Sequence, residues 1–172
     1  QLLSHNRCDA AFDHRGHGQS AKPQDETAYT PQKMAGDVVK LLDHLEIGET
    51  VIFGYSMGAR VSAFTALAAP ERISRIVFGG LGIGLVEGVG DWDPIACIST
   101  SRQELTEAEV GQIAQPTLIG VGTTDDIAGS PDALAALMPN ARVFAIEGRD
   151  HMLSVGDRTF KAEVLRFLGD AA

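Results

Sequence analysis

The chain has 172 residues, 44% hydrophobic and 22% charged, the proportions of one globular domain with room for a core. Its formal net charge of −9, without blocks of like charge, speaks against nucleic acid and anionic membrane surfaces as partners. Cys8 and Cys97 form neither a disulfide framework nor a metal-ligand spacing, so Cys8, in an apolar run, reads as a buried thiol.

Gln1 to Arg7 lack the basic-then-apolar order of a signal peptide, and no later run approaches the ~20 apolar residues of a membrane span. A soluble protein of the reducing cytoplasm is the expectation. The chain opens without methionine and a strand arrives within a few residues, which points to incompleteness at the N-terminus.

Residues 8–12 (Cys-Asp-Ala-Ala-Phe) read as that strand, ending in the glycine-punctuated loop Asp13-His14-Arg15-Gly16-His17-Gly18-Gln19-Ser20. Thr30-Pro31 starts a helix, threonine as cap and proline at the first helical position. Met34, Val38, Leu41, Leu42 and Leu45 follow as an amphipathic stripe, and Gly48 is the expected stop. His44 lies off the stripe and faces solvent. A strand over 50–53 and a helix over 59–68 come next, then strands over 73–78, 116–121 and 141–146. Between them, residues 79–90 hold six glycines and should not sustain a helix or strand interior. Thr106 to Glu109 is a capping-box start, Ser130-Pro131 opens another helix, and a last one carries Phe160, Val164, Leu165, Phe167 and Leu168. Apolar strands alternating with helices predict an α/β fold, a mainly parallel doubly wound sheet with helices on both faces.

The chain is organised around Val51-Ile52-Phe53-Gly54-Tyr55-Ser56-Met57-Gly58-Ala59-Arg60. An apolar run stops at Gly54, one hydroxyl follows, and a small-residue helix begins: strand, sharp turn, helix. Gly-x-Ser-x-Gly alone is a weak pattern in a chain with 19 glycines; the flanking strand and helix raise it. Without them Ser56 would be an ordinary helix cap. Functional side chains in such sheets gather past the carboxyl ends of strands, where Ser56, Asp125 and His151 all stand. Serine needs an imidazole to take its proton, and a carboxylate fixes the imidazole's tautomer. Met57, first in the helix, can offer its N–H to a developing oxyanion. Asp126 competes with Asp125 for the acid, with Asp125 preferred on its register after Gly122, and Asp91 or Asp93 is a distant alternative. Tyr55, Trp92 and Met152 are candidates for lining a substrate pocket or for packing in the core or lid.

Asp13-x-Arg15-Gly16-x-Gly18-x-Ser20, Gly54-Tyr55-Ser56-Met57-Gly58, Gly122-Thr123-Thr124-Asp125 and Gly148-Arg149-Asp150-His151 together resemble the α/β-hydrolase superfamily, in its esterase, lactonase and C–C hydrolase branch. The resemblance covers nearly everything from residue 8 onward. It implies Ser56 as nucleophile, Asp125 as acid, His151 as general base, Met57 as one oxyanion donor, and neither metal nor organic cofactor. A serine at the elbow argues against the dehalogenase and epoxide-hydrolase relatives, which use aspartate there. The chain departs from the family in lacking the strands before Cys8 and the His-Gly loop that supplies a second oxyanion N–H. Only 37 residues, Gly79 to Gln115, stand where a helical cap is usual, a remnant of the cap region. The abrupt passage from Asp91-Trp92-Asp93-Pro94-Ile95 into Ala96-Cys97-Ile98 points to residues missing near 92–97.

The leading expectation is a single catalytic domain hydrolysing a small carboxylic ester or lactone through an acyl-enzyme. A C–C bond hydrolase, lyase or perhydrolase could use the same residues. A non-catalytic, ligand-binding domain of this fold, with an exposed sheet edge, is the alternative of another class.

Overall fold

The computed structural model describes residues 9–88 and 104–169. Four strands, β1 (Thr50–Tyr55), β2 (Ile73–Gly79), β3 (Thr117–Gly122) and β4 (Ala141–Ile146), form one sheet in the order β1-β2-β3-β4. Every pairing is parallel. The helices are α1 (Pro31–His44), α2 (Met57–Ala68), the short α3 (Gly84–Glu87) and α4 (Glu107–Val110), α5 (Pro131–Leu137), α6 (His151–Ser154) and α7 (Arg158–Gly169).

Successive strand side chains point to opposite faces, and the two faces carry separate cores. Ile76, Phe78, Ile119 and Val121 pack with Ala59, Ala63 and Phe64 of α2 and with Leu134 and Met138. Val77, Leu118 and Ile146 pack on the other face with Phe160, Val164, Phe167 and Leu168 of α7. Helices therefore cover both faces, as the strand–helix alternation predicted. Helix α2 is buried from Ala59 to Ala66 because α1 covers its outer side, with Met34 and Val38 against Val61. Phe160 lies flat over β3, where a Cβ on Gly120 would come within 2.1 Å of its ring. Burying such a ring contributes about 1.5–3 kcal/mol.

Three local expectations are corrected. Asp9–Phe12 are exposed and form no strand, because no described strand pairs with them. A short run rich in apolar residues cannot make a strand without a ladder partner. Helix α1 ends at His44 rather than near Gly48. The left-handed residue after it is Glu46 (φ 54°), while Ile47 N–H returns to the carbonyl of Leu42 at 2.9 Å. Leu45, beyond the last helical residue, is consequently exposed. Within 79–90, β2 runs through Gly79 and a single helical turn, α3, forms despite its glycines. That turn is held from outside: Gly82 and Gly84 N–H donate to Ala128 O, and buried Arg60 donates to Gly84 O at 2.6 Å. Burial lowers the Arg60 pKa, opposed by the charge of Glu104.

The Asp13–Ser20 loop closes on itself. Asp13 accepts from Gln19 N–H at 3.0 Å and its carbonyl from the Ser20 hydroxyl at 2.6 Å. Arg15 clasps Asp37 of α1 with two N–H groups, at 2.6 and 2.5 Å, and gives a third to Ala28 O. Of the cap-region expectation, only α3 and α4 belong to the described residues. Trp92, Asp91, Asp93, Cys8, Cys97 and the junction at 92–97 lie outside them. No helix among the described residues is long and apolar enough to cross a membrane.

Candidate active site

Ser56 follows β1 and caps α2 with φ 52° and ψ −113°, a conformation that costs a non-glycine residue about 1–3 kcal/mol. The surroundings hold it there: its N–H donates to Gly79 O at 2.8 Å, and its carbonyl accepts from Ala59 and Arg60 N–H at 3.0 and 3.2 Å. Gly54 makes this turn possible, since a Cβ there would lie 2.2 Å from Gly58 O. Gly58 itself faces open space, with nothing within 4 Å of where its Cβ would stand. The two motif glycines therefore differ: a side chain at Gly54 would strike the helix backbone, and one at Gly58 would meet nothing. The first N–H groups of α2, beginning with Met57, have no acceptor within the helix and sit beside the serine.

His151 begins α6 just past β4, and Asp125 stands three residues past β3. The hydroxyl of Ser56 lies 2.9 Å from His151 Nε2, and Nδ1 lies 2.8 Å from Asp125 Oδ2. The other Asp125 oxygen accepts N–H groups from Ile127 and Ala128, each at 2.9 Å. The Asp125 side chain is fully buried and that of His151 is 6% exposed. A carboxylate can only accept, so the histidine proton sits on Nδ1 and the Nε2 lone pair faces the serine hydroxyl. Asp126 is exposed. Among the described residues no cluster of three or more metal-ligating side chains occurs.

Two turns bring Asp125 and His151 together. Thr124 N–H donates to Arg149 O at 3.0 Å, and Gly148 N–H to the Thr123 hydroxyl at 2.8 Å. Gly122 allows this approach, because a Cβ there would lie 2.0 Å from Arg149 O. Arg149 donates to Asp157 at 2.7 Å. Asp157 also accepts from the Thr159 hydroxyl and from Thr159 and Phe160 N–H, capping α7. The Thr159 hydroxyl first, then Arg149, holds the Asp157 carboxyl far below the usual carboxylate range. Sequence reasoning left Arg149 and Asp157 without roles. Asp-x-Thr directly ahead of an amphipathic helix was the available signal.

Of the candidate lining residues, Tyr55 packs with the α7-side core and donates its hydroxyl to the carbonyl of His151. Met152 is 74% exposed beside the histidine. A shallow concavity between Arg149, Leu153, Gly156, Asp157, Arg158 and Thr159 lies beyond the histidine loop and does not include Ser56.

Residues 2–96 match the family model of the alpha/beta hydrolase fold, and the chain belongs to that family. It is 42% identical over 69 residues to an epoxide hydrolase of Caballeronia sordidicola, covering 40% of this chain and 21% of that one. To 3-oxoadipate enol-lactonase 2 of Acinetobacter baylyi it is 28% identical over 137 residues, 80% of this chain and 48% of the lactonase. A solved meta-cleavage product hydrolase of Pseudomonas fluorescens superposes with a TM-score of 0.76 at 18% identity, over 93% of this chain and 79% of that one. At that identity the likeness speaks for the fold. The chain spans about a fifth to a half of the length of these curated relatives.

Proposed function

We propose that the chain hydrolyses a small carboxylic ester or lactone through an acyl-enzyme on Ser56. One observation carries the reading: the unbroken run from the Ser56 hydroxyl through both nitrogens of His151 to buried Asp125, at 2.9 and 2.8 Å. In the first step the serine oxygen attacks the acyl carbon while its proton passes to Nε2, and the carbonyl π pair becomes an oxyanion. The Met57 N–H donates to that oxyanion; one such donor is worth about 10²–10³ in rate. Collapse breaks the bond to the leaving oxygen, which takes the proton from Nε2. Water then repeats the sequence on the acyl-enzyme and restores the serine. Throughout, Asp125 keeps the imidazole in the required tautomer and stabilises the imidazolium.

Lactone or ester substrates are favoured by the similarity to the enol-lactonase, which runs along four-fifths of the chain. Epoxide opening is disfavoured despite the similarity to an epoxide hydrolase. A serine that opened an epoxide would be left as an ether, which water at this site cannot cleave, whereas a carboxylate would give a hydrolysable ester. A C–C hydrolase, lyase or perhydrolase on the same three residues is the second reading, favoured by the fold of the meta-cleavage product hydrolase. The reducing cytoplasm is the proposed setting, since the two cysteines show no disulfide pattern.

A fluorophosphonate probe tests the nucleophile. The parent should label and Ser56→Ala should not; a parent that fails to label, or a mutant that still does, removes the assignment and favours the non-catalytic alternative. Acyl esters, lactones and vinylogous diketones assayed side by side then separate the scissile bonds.

A further inference from the structure

Tyr55 immediately precedes the strained serine, yet its side chain ends at the histidine loop, 96 residues further along the chain. Its hydroxyl donates to the main-chain carbonyl of His151, and its ring centroid lies 5.6 Å from that of the imidazole. A notch in β2 is shaped for this ring. A Cβ on Gly79 would come within 2.5 Å of Tyr55 Cδ2. On Gly80 it would lie 2.9 Å from Tyr55 Cζ and 3.0 Å from His151 Cε1. Two bare glycine backbones thus form a common floor under the tyrosine and histidine rings. Gly79 O also accepts the Ser56 N–H and Gly80 N–H reaches Gly120 O, each at 2.8 Å, so the floor is fastened to the sheet.

We propose that Tyr55 is a positioning residue for His151, fixing the imidazole's height over Ser56 by holding the carbonyl of the residue that carries it. The role rests on the acyl-enzyme reading above. Its physical basis is a shared support: the backbone of Tyr55 leads into the nucleophile while its side chain grips the base. The serine and histidine therefore move together, and their separation is set by one rigid ring. Burial, reinforced by the charges of Asp125 and Asp150 against a hydrogen bond with Ser154, pushes the Tyr55 hydroxyl up to about 12. It remains a protonated donor across the neutral range.

The test uses Tyr55→Phe in the full chain, with p-nitrophenyl acetate as substrate and a fluorophosphonate as probe. Removing the hydroxyl loosens the His151 backbone, and misplacement of about 1 Å can cost 10²-fold. A smaller slip should lower kcat about tenfold, leave KM within about twofold, and slow labelling by the same factor as kcat. Tyr29→Phe is the matched control: it deletes a 2.9 Å hydroxyl bond to Pro23 O far from the site and should leave kcat unchanged. Gly80→Ala keeps the hydroxyl but crowds both rings, and should also lower kcat without raising KM. Wild-type kcat in Tyr55→Phe or Gly80→Ala, a rise in KM alone, or an equal fall in Tyr29→Phe overturns the role. Ser56→Ala separates the levels. Inactive Ser56→Ala with fully active Tyr55→Phe removes only the positioning role, whereas active Ser56→Ala removes the acyl-enzyme reading itself.

Discussion

Two glycine-punctuated turns of this chain each carry a serine and do opposite things. Asp13–Ser20 holds an aspartate, two histidines, an arginine and a serine, and Gly54–Gly58 holds one serine. In the first turn Asp13 and Ser20 bond within the loop, and Arg15 reaches only as far as Ala28 and the next helix. In the second, the serine and its neighbour Tyr55 both reach His151, more than ninety residues away. Polar side chains bonded within their loop and to the adjoining helix make a fastening. Chains of bonds drawn from three strand ends, in a buried setting, make a candidate site.

The sharpest way to break this contrast is to remove the serine. Ser56→Ala should lower kcat for an ester substrate by about 10⁴–10⁶, measured against the intact chain, with secondary structure by circular dichroism unchanged. Next in size is Asp125→Asn, which keeps the shape but no longer demands the proton on Nδ1. A loss of about 10⁴ in kcat is expected, against less than about twofold for the exposed Asp126→Asn. If Asp126→Asn were the damaging change, the acid would be misassigned.

Stability should respond at Asp157, which caps α7, and at Arg15, which fastens the first turn. Asp157 has its folded pKa depressed, so its contribution is present in full above its unfolded value of about 4 and is lost as pH falls toward the folded value. Asp157→Asn should lower Tm near neutral pH, and the difference from the parent should shrink as thermal melts are taken below about pH 4. Arg15→Ala breaks a partly buried bidentate pair and should cost about 1 kcal/mol in urea melts while leaving kcat within about twofold. A kinetic effect there as large as that of Asp125→Asn would erase the distinction between the two turns. Smallest of all, Glu46→Gly relieves a left-handed backbone and should stabilise by a few tenths to about 1 kcal/mol.

Much of this was legible in the sequence because the strands advertise themselves. The apolar runs at 50–53, 73–78, 116–121 and 141–146 each became a strand, with β1, β2 and β3 extending one or two residues through Gly54-Tyr55, Gly79 and Gly122. Those extensions escape composition because glycine looks like a stop, whereas here it keeps the strand going beneath a neighbouring ring or helix. Residues 8–12 show the reverse failure: the pattern suits a strand, but among the described residues no strand pairs with 9–12. Glu46 taking the left-handed position expected of Gly48 was likewise illegible, since the six-residue return bond from Ile47 to Leu42 decides it. At the candidate site, the meeting of Ser56, Asp125 and His151 could be expected from motif order. The support under them could not, because Gly79-Gly80, Tyr55, Arg149 and Asp157 matter only through contacts that close after folding.

Rapid-quench mass spectrometry of the chain with p-nitrophenyl acetate would trap the covalent intermediate on Ser56. One acetyl group is expected on the peptide containing Ser56, longer-lived in Asp125→Asn and absent in Ser56→Ala. Turnover of the ester with no acylated peptide, or with the acetyl group on another residue, would contradict it.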